Sequence, residues 1–470
     1  MESRSCALLL LVAALTACSL PPAPPPATGA TPQATATAAP AMPRPTPSPQ
    51  ADVVTVRINP DVTHQTMDGF GANCWTFPYA NDLGWEWEKV KFVFDELDIR
   101  YLRLAPWLGW WETANDNDDP YTINWAGFGT VYDIINQHDV PFGQYVAARG
   151  IELAVGVWNF GGVLDQCPTC TDWLAGGQPR RIPPELYPEM GESIASYILH
   201  MQKHSAPIRF AEVQNEPDIQ AAIQYPSPEA LRDAGRVLIQ MLDHYGLSDV
   251  LLHAPNLHSP NDNLRWIEAW FADETLRNRT AAVSYHTWWS EDRRSYEAIR
   301  DAARRFGKPV WATEAGYSGS ATDIDPTRWL TAFGFAEAYY RAIAWSDATR
   351  VYHWSLLGFD GAVGKRGERY PMFYALKHFA NFIPPGAVRL EAESNDPRIW
   401  ALAFRRPDGA HNLIVLNRNR AARTIRPDGL AGEINQAVVS SDGNYEVSIT
   451  LSPDGALALP PLSITSLVVE

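Results

Sequence analysis

Two glutamates in this sequence stand where apolar runs stop abruptly. Ile208 to Asn215 reads as a buried strand, and it is followed at once by Glu216 and Pro217, where proline bars further ladder hydrogen bonds. Pro309 to Glu314 has the same design, with Gly316 just beyond Glu314. Carboxylates held at the rim of a sheet can divide acid and base work. When two stand close together double ionisation is resisted, so one keeps its proton and the other is left as an anion. Glycosidic bond cleavage needs that division: an acid protonates the leaving oxygen while a carboxylate acts on the opposite side of the sugar. A separation of about 5 Å leads through a covalent intermediate with retention of configuration, and one of about 6.5 to 9.5 Å leads to inversion. Spacing along a chain gives no such distance.

The elements that must position these groups form a regular alternation of strand and helix patterns. Eight strands are expected: Met67 to Cys74, Ile99 to Pro106, Ile151 to Trp158, Ile208 to Asn215, Val250 to Pro255, Ala281 to His286, Pro309 to Glu314 and Arg350 to Leu356. Helical spacing is found at Trp87 to Leu97, Met190 to Met201, Pro228 to Tyr245, Leu264 to Phe271, Tyr296 to Phe306, Arg328 to Trp345 and Met372 to Phe382. Eight such units point to an α/β fold of the (β/α)8 TIM-barrel class, whose active sites lie at the strand ends. A doubly wound open sheet is the runner-up, but it would use fewer strands and usually a phosphate loop, and none is found.

After Pro384, Pro385 and Gly386 the pattern changes to short strands without helices, punctuated by Pro-Asp-Gly turns that begin at Pro407, Pro427 and Pro453. This region reads as an appended all-β sandwich. Val53 to Ile58 alternates like a strand outside the barrel count and is expected to join the sandwich. The domain reading is therefore a signal over 1–18, a linker over 19–52, a barrel over 62–383, and a sandwich made of 53–61 with 384–470.

The chain has 470 residues, 46% of them hydrophobic, which excludes disorder for most of its length. A net charge of -16 argues against nucleic acid or an anionic membrane surface as partner and favours a neutral substrate. Met1 to Cys18 carries Arg4, an apolar run from Ala7 to Leu15, and a Leu15-Thr16-Ala17-Cys18 ending that resembles the bacterial lipoprotein box. Lipidation at Cys18 would place the protein as an exported lipoprotein at the cell surface or the extracytoplasmic face of the membrane, touching the bilayer only through that anchor. Ser19 to Asp52, rich in Pro, Ala and Thr, would be its stalk. Cys167 and Cys170 have the spacing of a redox or zinc half-site, but no second pair completes one, so a local disulfide with Cys74 buried and free is the better reading. Asn115 to Asp119 lacks EF-hand spacing and reads as an exposed loop.

Several motifs together resemble a known group. The two strand-end glutamates, one inside Asn215-Glu216-Pro217, are similar to those of clan A retaining glycosidases. Met67-Asp-Gly-Phe-Gly-Ala72, Glu212-Val-Gln-Asn-Glu-Pro217, Trp311-Ala-Thr-Glu314 and the run from Phe373 to Gly386 resemble glycoside hydrolase family 30. That family includes glucosylceramidases, beta-1,6-glucanases, beta-1,6-galactanases and xylanases. The resemblance covers the chain from about residue 53 to its end.

It implies Glu216 as general acid and base and Glu314 as nucleophile of a retaining beta-glycosidase or endo-glycanase. It further implies that Arg103 supports the nucleophile, that His286 lies close to it, that Asn215 donates to the sugar hydroxyl beside the reacting carbon, and that Trp354 floors the reacting subsite. Relatives often carry tyrosine where this chain has Trp288, which leaves the nucleophile's hydrogen-bond partner to His286 or Tyr285. Flat aromatic faces stack on sugar rings, and Trp107, Trp158 and Trp288 are expected as substrate contacts. Each has a structural alternative: Arg103 in an ion pair, His286 as a core histidine, the tryptophans as packing.

The expected partner is an oligo- or polysaccharide, with no cofactor, no metal and a monomeric chain. A carbohydrate-binding protein that has lost turnover on the same fold is the rival reading, and a metal-dependent barrel hydrolase lacks a convincing His and Asp ligand set.

Overall fold

The computed structural model describes residues 53–106, 108–129, 133–158, 174, 181–219, 223–316, 324–358, 360–453 and 455–470. Trp107, Cys18, Cys167 and Cys170 lie outside the described residues, as do the signal and the linker.

The first strand, β1 (Val54–Thr66), belongs to the side sheet, and the eight that follow close a parallel barrel. They are β2 (Gly69–Cys74), β3 (Ile99–Leu104), β4 (Glu152–Val155), β5 (Ile208–Ala211), β6 (Leu251–Leu257), β7 (Thr280–His286), β8 (Val310–Ala315) and β9 (Ala348–His353). Each pairs with its sequence neighbour, and β9 closes onto β2. Parallel strands covered by helices are buried on both faces, so they read as continuous apolar runs; every residue of β2 and of β8 is buried. The expected (β/α)8 barrel is what the chain forms.

Helix starts follow local chemistry. Pro228 opens the helix Pro228–His244 where its missing N–H costs nothing, and the Ser227 hydroxyl accepts from the Ala230 N–H at 3.3 Å. Two helices depart from expectation. The helix expected over 87–97 is broken into Trp87–Val90 and Val93–Glu96, and the helix Val140–Ala147, which follows one π-turn, was hidden by Pro141 and Gly143.

Eight further strands complete the side domain: β10 (Val388–Ser394), β11 (Ile399–Arg405), β12 (His411–Asn417), β13 (Arg423–Asp428), β14 (Ile434–Ser441), β15 (Asn444–Ser448), β16 (Leu457–Leu459) and β17 (Ser463–Val469). With β1 they form one sheet in the order β15-β14-β17-β12-β11-β10-β1-β13-β16. Residues 54–58 of β1 do pair in this sheet, and the strand runs on to Thr66, with register shifts after Asn59 and Thr63 along β10.

Strand periodicity gives this sheet two cores. Val56, Leu390, Ala403, Leu413, Ile425, Leu457 and Leu467 share one cluster, which a single sheet can enclose only by folding over itself. The Asn417 amide ties that fold, donating to Pro460 O at 2.6 Å. Alternate residues Leu402, Phe404, Ile414, Leu416, Ile464 and Val468 face the other way and join the barrel's cluster. Buried His378, on the helix Pro371–Ala380, sits at this junction between the Ser466 and Ser440 hydroxyls, each at 2.8 Å.

Candidate active site

Arg103 is the centre of the strand-end constellation. It lies on β3, fully buried, and its guanidinium makes contacts that splay outward to four side chains. Nη1 donates to Glu314 Oε1 and to Asn73 Oδ1, both at 2.8 Å. Nη2 donates to Asn215 Oδ1 at 2.7 Å and to Glu212 Oε1 at 2.7 Å, while Nε reaches Glu212 Oε2 at 3.1 Å. A planar fork gripped by one carboxylate has no freedom left to rotate. Glu212 thereby aims the remaining N–H groups at Glu314 and Asn215.

Glu212 is a functional residue that the sequence reading quoted inside a motif but gave no role. It is buried to 1% exposure and also accepts from the Val157 N–H at 2.9 Å and the Asn256 amide at 2.7 Å. Its position four residues before Glu216, on the same strand run, is the signal that could have marked it.

Glu216 follows β5 and adopts a left-handed backbone, φ 49, with its N–H bonded to Asn256 O at 3.2 Å. Such conformations cost a non-glycine residue about 1 to 3 kcal/mol and concentrate at sites where geometry matters more than stability. Glu314 sits within β8. His286, at the end of β7, joins them: its Nδ1 lies 2.9 Å from Glu216 Oε1 and 3.3 Å from Glu314 Oε2. Ligand atoms of Glu216, His286 and Glu314 all fall within 4.8 Å of one another, so the two carboxylates face a common space.

Burial raises the Glu216 pKa to about 7; the charge of His258 opposes the rise and that of Asp218 adds to it. Burial drives Glu314 upward as well, but the Arg103 guanidinium in direct contact favours its ionised form. Of two carboxyls that resist double ionisation, the one with a cation in contact is the anion and Glu216 keeps the proton. His286 is pushed down to about 3 by burial and is neutral, so it bridges the pair as a dipole. Two carboxylates and an imidazole could also hold a divalent ion. Here the Arg103 guanidinium on Oε1 already supplies positive charge to Glu314, which weakens the carboxylate's attraction for a second cation.

Trp288 departs from its expected role. It is only 2% exposed, and its indole Nε1 donates to Glu314 Oε2 at 3.1 Å, so it holds the carboxylate rather than offering an open stacking face. Tyr285 is not the partner, since its hydroxyl bonds to Ser346 at 2.7 Å in the core. Gly316 explains how the indole fits: a Cβ there would stand 2.3 Å from the Trp288 ring.

Trp158 and Trp354 are half-buried neighbours, ring centroids 5.9 Å apart. Trp158 lies against the Arg103 guanidinium at 4.4 Å and is also next to Trp75, which was not among the expected contacts. Trp354 donates to Asp360 Oδ2 at 2.7 Å, which fixes its ring. Asn215 has its carbonyl end taken by Arg103, leaving the NH2 end to donate elsewhere. The strand ends thus bring together Arg103, Asn215, Glu216, His286, Trp288, Glu314, Trp158 and Trp354.

Comparison with known proteins agrees with the fold. Residues 192–373 match the Glycosyl hydrolase catalytic core family and residues 386–467 match the Glycosyl hydrolase family 30 beta sandwich domain. The glucuronoxylanase XynC of Bacillus subtilis strain 168 is 22% identical over 310 residues, covering 62% of this chain and 68% of the relative. A second Bacillus subtilis glucuronoxylanase XynC is 26% identical over 177 residues, 35% of this chain, and the match spans only 40% of that relative. The crystal structure of a GH30 endoxylanase from Clostridium papyrosolvens C71 superimposes with a TM-score of 0.67 at 17% identity, covering 88% of this chain and all of the other, which establishes the shared fold. This chain is a glycoside hydrolase, and in its barrel and side sheet it resembles those of family 30.

Proposed function

We propose that the chain is a retaining beta-glycosidase or endo-beta-glycanase acting on an extracellular oligo- or polysaccharide, with xylan the first candidate because glucuronoxylanases are among its relatives. The observation that carries this reading is the placement of carboxylate oxygens of Glu216 and Glu314 within 4.8 Å, in the range of retaining enzymes and too close to admit an inverting water between them. Glu314 attacks the anomeric carbon and forms an ester bond to it, while Glu216 delivers its proton to the departing oxygen. Glu216, now a base, then takes a proton from water. That water's oxygen bonds to the anomeric carbon and the ester bond breaks, which restores both groups. Arg103 and the Trp288 N–H hold the nucleophile in line, and the Asn215 NH2 group donates to the neighbouring sugar hydroxyl as positive charge develops.

The lipoprotein-type Leu15 to Cys18 sequence supports export and anchoring at Cys18. In the test, Glu314→Gln should abolish turnover of a dinitrophenyl glycoside, whereas Glu216→Ala should still release dinitrophenol and be accelerated by azide with formation of a β-glycosyl azide. Full activity in either variant would overturn the assignment. Xylan, beta-1,6-glucan and beta-1,6-galactan, tested side by side, identify the glycan. Saturable binding without hydrolysis of any of them would favour the non-catalytic reading.

A further inference from the structure

The catalytic pair decides which side of the mouth receives the leaving group. Glu216 protonates the departing oxygen, so the departing sugar must stand on the Glu216 side. Three loops are tied together there. Asp218, two residues after Glu216, accepts the His258 backbone N–H on Oδ1 at 3.2 Å and lies 2.5 Å from the His258 ring Nδ1 through Oδ2. His258 directly follows β6, and its ring lies 5.2 Å from that of Trp289, which follows β7.

Trp289 is unusual on two counts. It is 46% exposed, one of few large apolar side chains so open among the described residues, and its backbone is left-handed, φ 52. An L-residue pays about 1 to 2 kcal/mol for that conformation. Core packing does not account for it, because the side chain gains little burial. The turn does let two consecutive tryptophans diverge: Trp288 points inward to Glu314 while Trp289 lies outward against His258.

We propose that Trp289, braced by the His258–Asp218 pair, is the platform for the leaving-group sugar and a specificity-determining residue of this enzyme. The indole face meets the apolar C–H face of the sugar, and the imidazole, fixed through Nδ1, presents Nε2 to a hydroxyl. Burial opposes charge on His258, but Asp218's hydrogen bond and negative charge outweigh it and raise the histidine's pKa. The substrate is then one in which a sugar departs, rather than a small alcohol. This inference rests on the catalytic reading above, and its test separates the two.

Trp289→Ala and Trp289→Phe variants of the full chain are compared with the parent on two substrates that share a glycone: xylohexaose and β-xylobiosyl fluoride, whose leaving group is too small to reach the platform. If the parent prefers beta-1,6-glucan, gentiohexaose and β-glucosyl fluoride take their place. Trp289→Ala is expected to lower kcat/KM at least tenfold on the oligosaccharide and less than twofold on the fluoride, with Trp289→Phe recovering most of the loss. An equal loss on both substrates, or none on either, would overturn the proposal. A parent inert toward these substrates, toward beta-1,6-galactan and toward dinitrophenyl glycosides alike would remove the catalytic reading, and the platform with it.

Discussion

The indole Nε1 of Trp288 lies 3.1 Å from Glu314 Oε2, on the opposite carboxylate oxygen from the one that Arg103 holds at 2.8 Å. Glu314 is thus fixed at both oxygens by donors that stay donors at every working pH, since an indole N–H does not titrate and arginine stays protonated.

Trp288→Phe keeps the ring and removes the N–H. A hydrogen bond to a charged group is worth about 1.5 to 3 kcal/mol, so kcat is expected to fall roughly ten- to a hundredfold, with a lower Tm as the buried carboxylate loses a donor. Gly316→Ala should act through the same bond, because its methyl would displace the indole. Unchanged kcat in both variants, measured with a dinitrophenyl glycoside, would show that the indole does not position Glu314.

Glu212→Gln leaves the shape of the Arg103 cradle intact but removes its buried counter-charge. Breaking a buried ion pair by loss of one partner costs about 3 to 5 kcal/mol. A lower Tm is expected together with a loss in kcat larger than any change in KM, since Arg103 would be free to turn from Glu314 and Asn215. Native kcat despite a reduced Tm would confine Glu212 to stability.

The raised pKa of Glu216 has consequences of definite sign. A general acid at Glu216, as proposed, works only when protonated, so kcat/KM is expected to fall tenfold per pH unit above about pH 7, and Glu216→Ala should abolish that limb on an activated substrate. In stability the raised folded-state value means that the full contribution is present below the unfolded carboxylate pKa and is lost as pH rises through about 7. Glu216→Gln should therefore raise Tm at pH 8 more than at pH 4, as read by thermal unfolding at both. A Tm gain no larger at pH 8 would contradict a strained, buried carboxylate.

The barrel was legible because strands buried on both faces are written as unbroken apolar runs, and proline and glycine mark where they stop. Glu216 and Glu314 stood out for that reason, whereas His286 was named only through the family resemblance. Other features were not legible because they are settled by long-range contact. Whether Trp288 stacks on a ligand or holds Glu314 depends on how β7 and β8 are aligned, and no local pattern carries that register. Glu212 looked like one more charged residue, since only the meeting of β3 and β5 pairs it with Arg103. In the side domain, β13 was masked by Pro427, which lies beyond the three residues paired to β16 but stands opposite Val56 of β1.

Stereochemistry of the first product tests the carboxylate pair most directly. Proton NMR of a glycan digest, recorded before mutarotation, should show the newly released reducing end appearing first as the β-anomer, because two displacements at one carbon restore configuration. Initial appearance of the α-anomer from a β-linked substrate would mean a single displacement by water, and would contradict Glu314 as nucleophile.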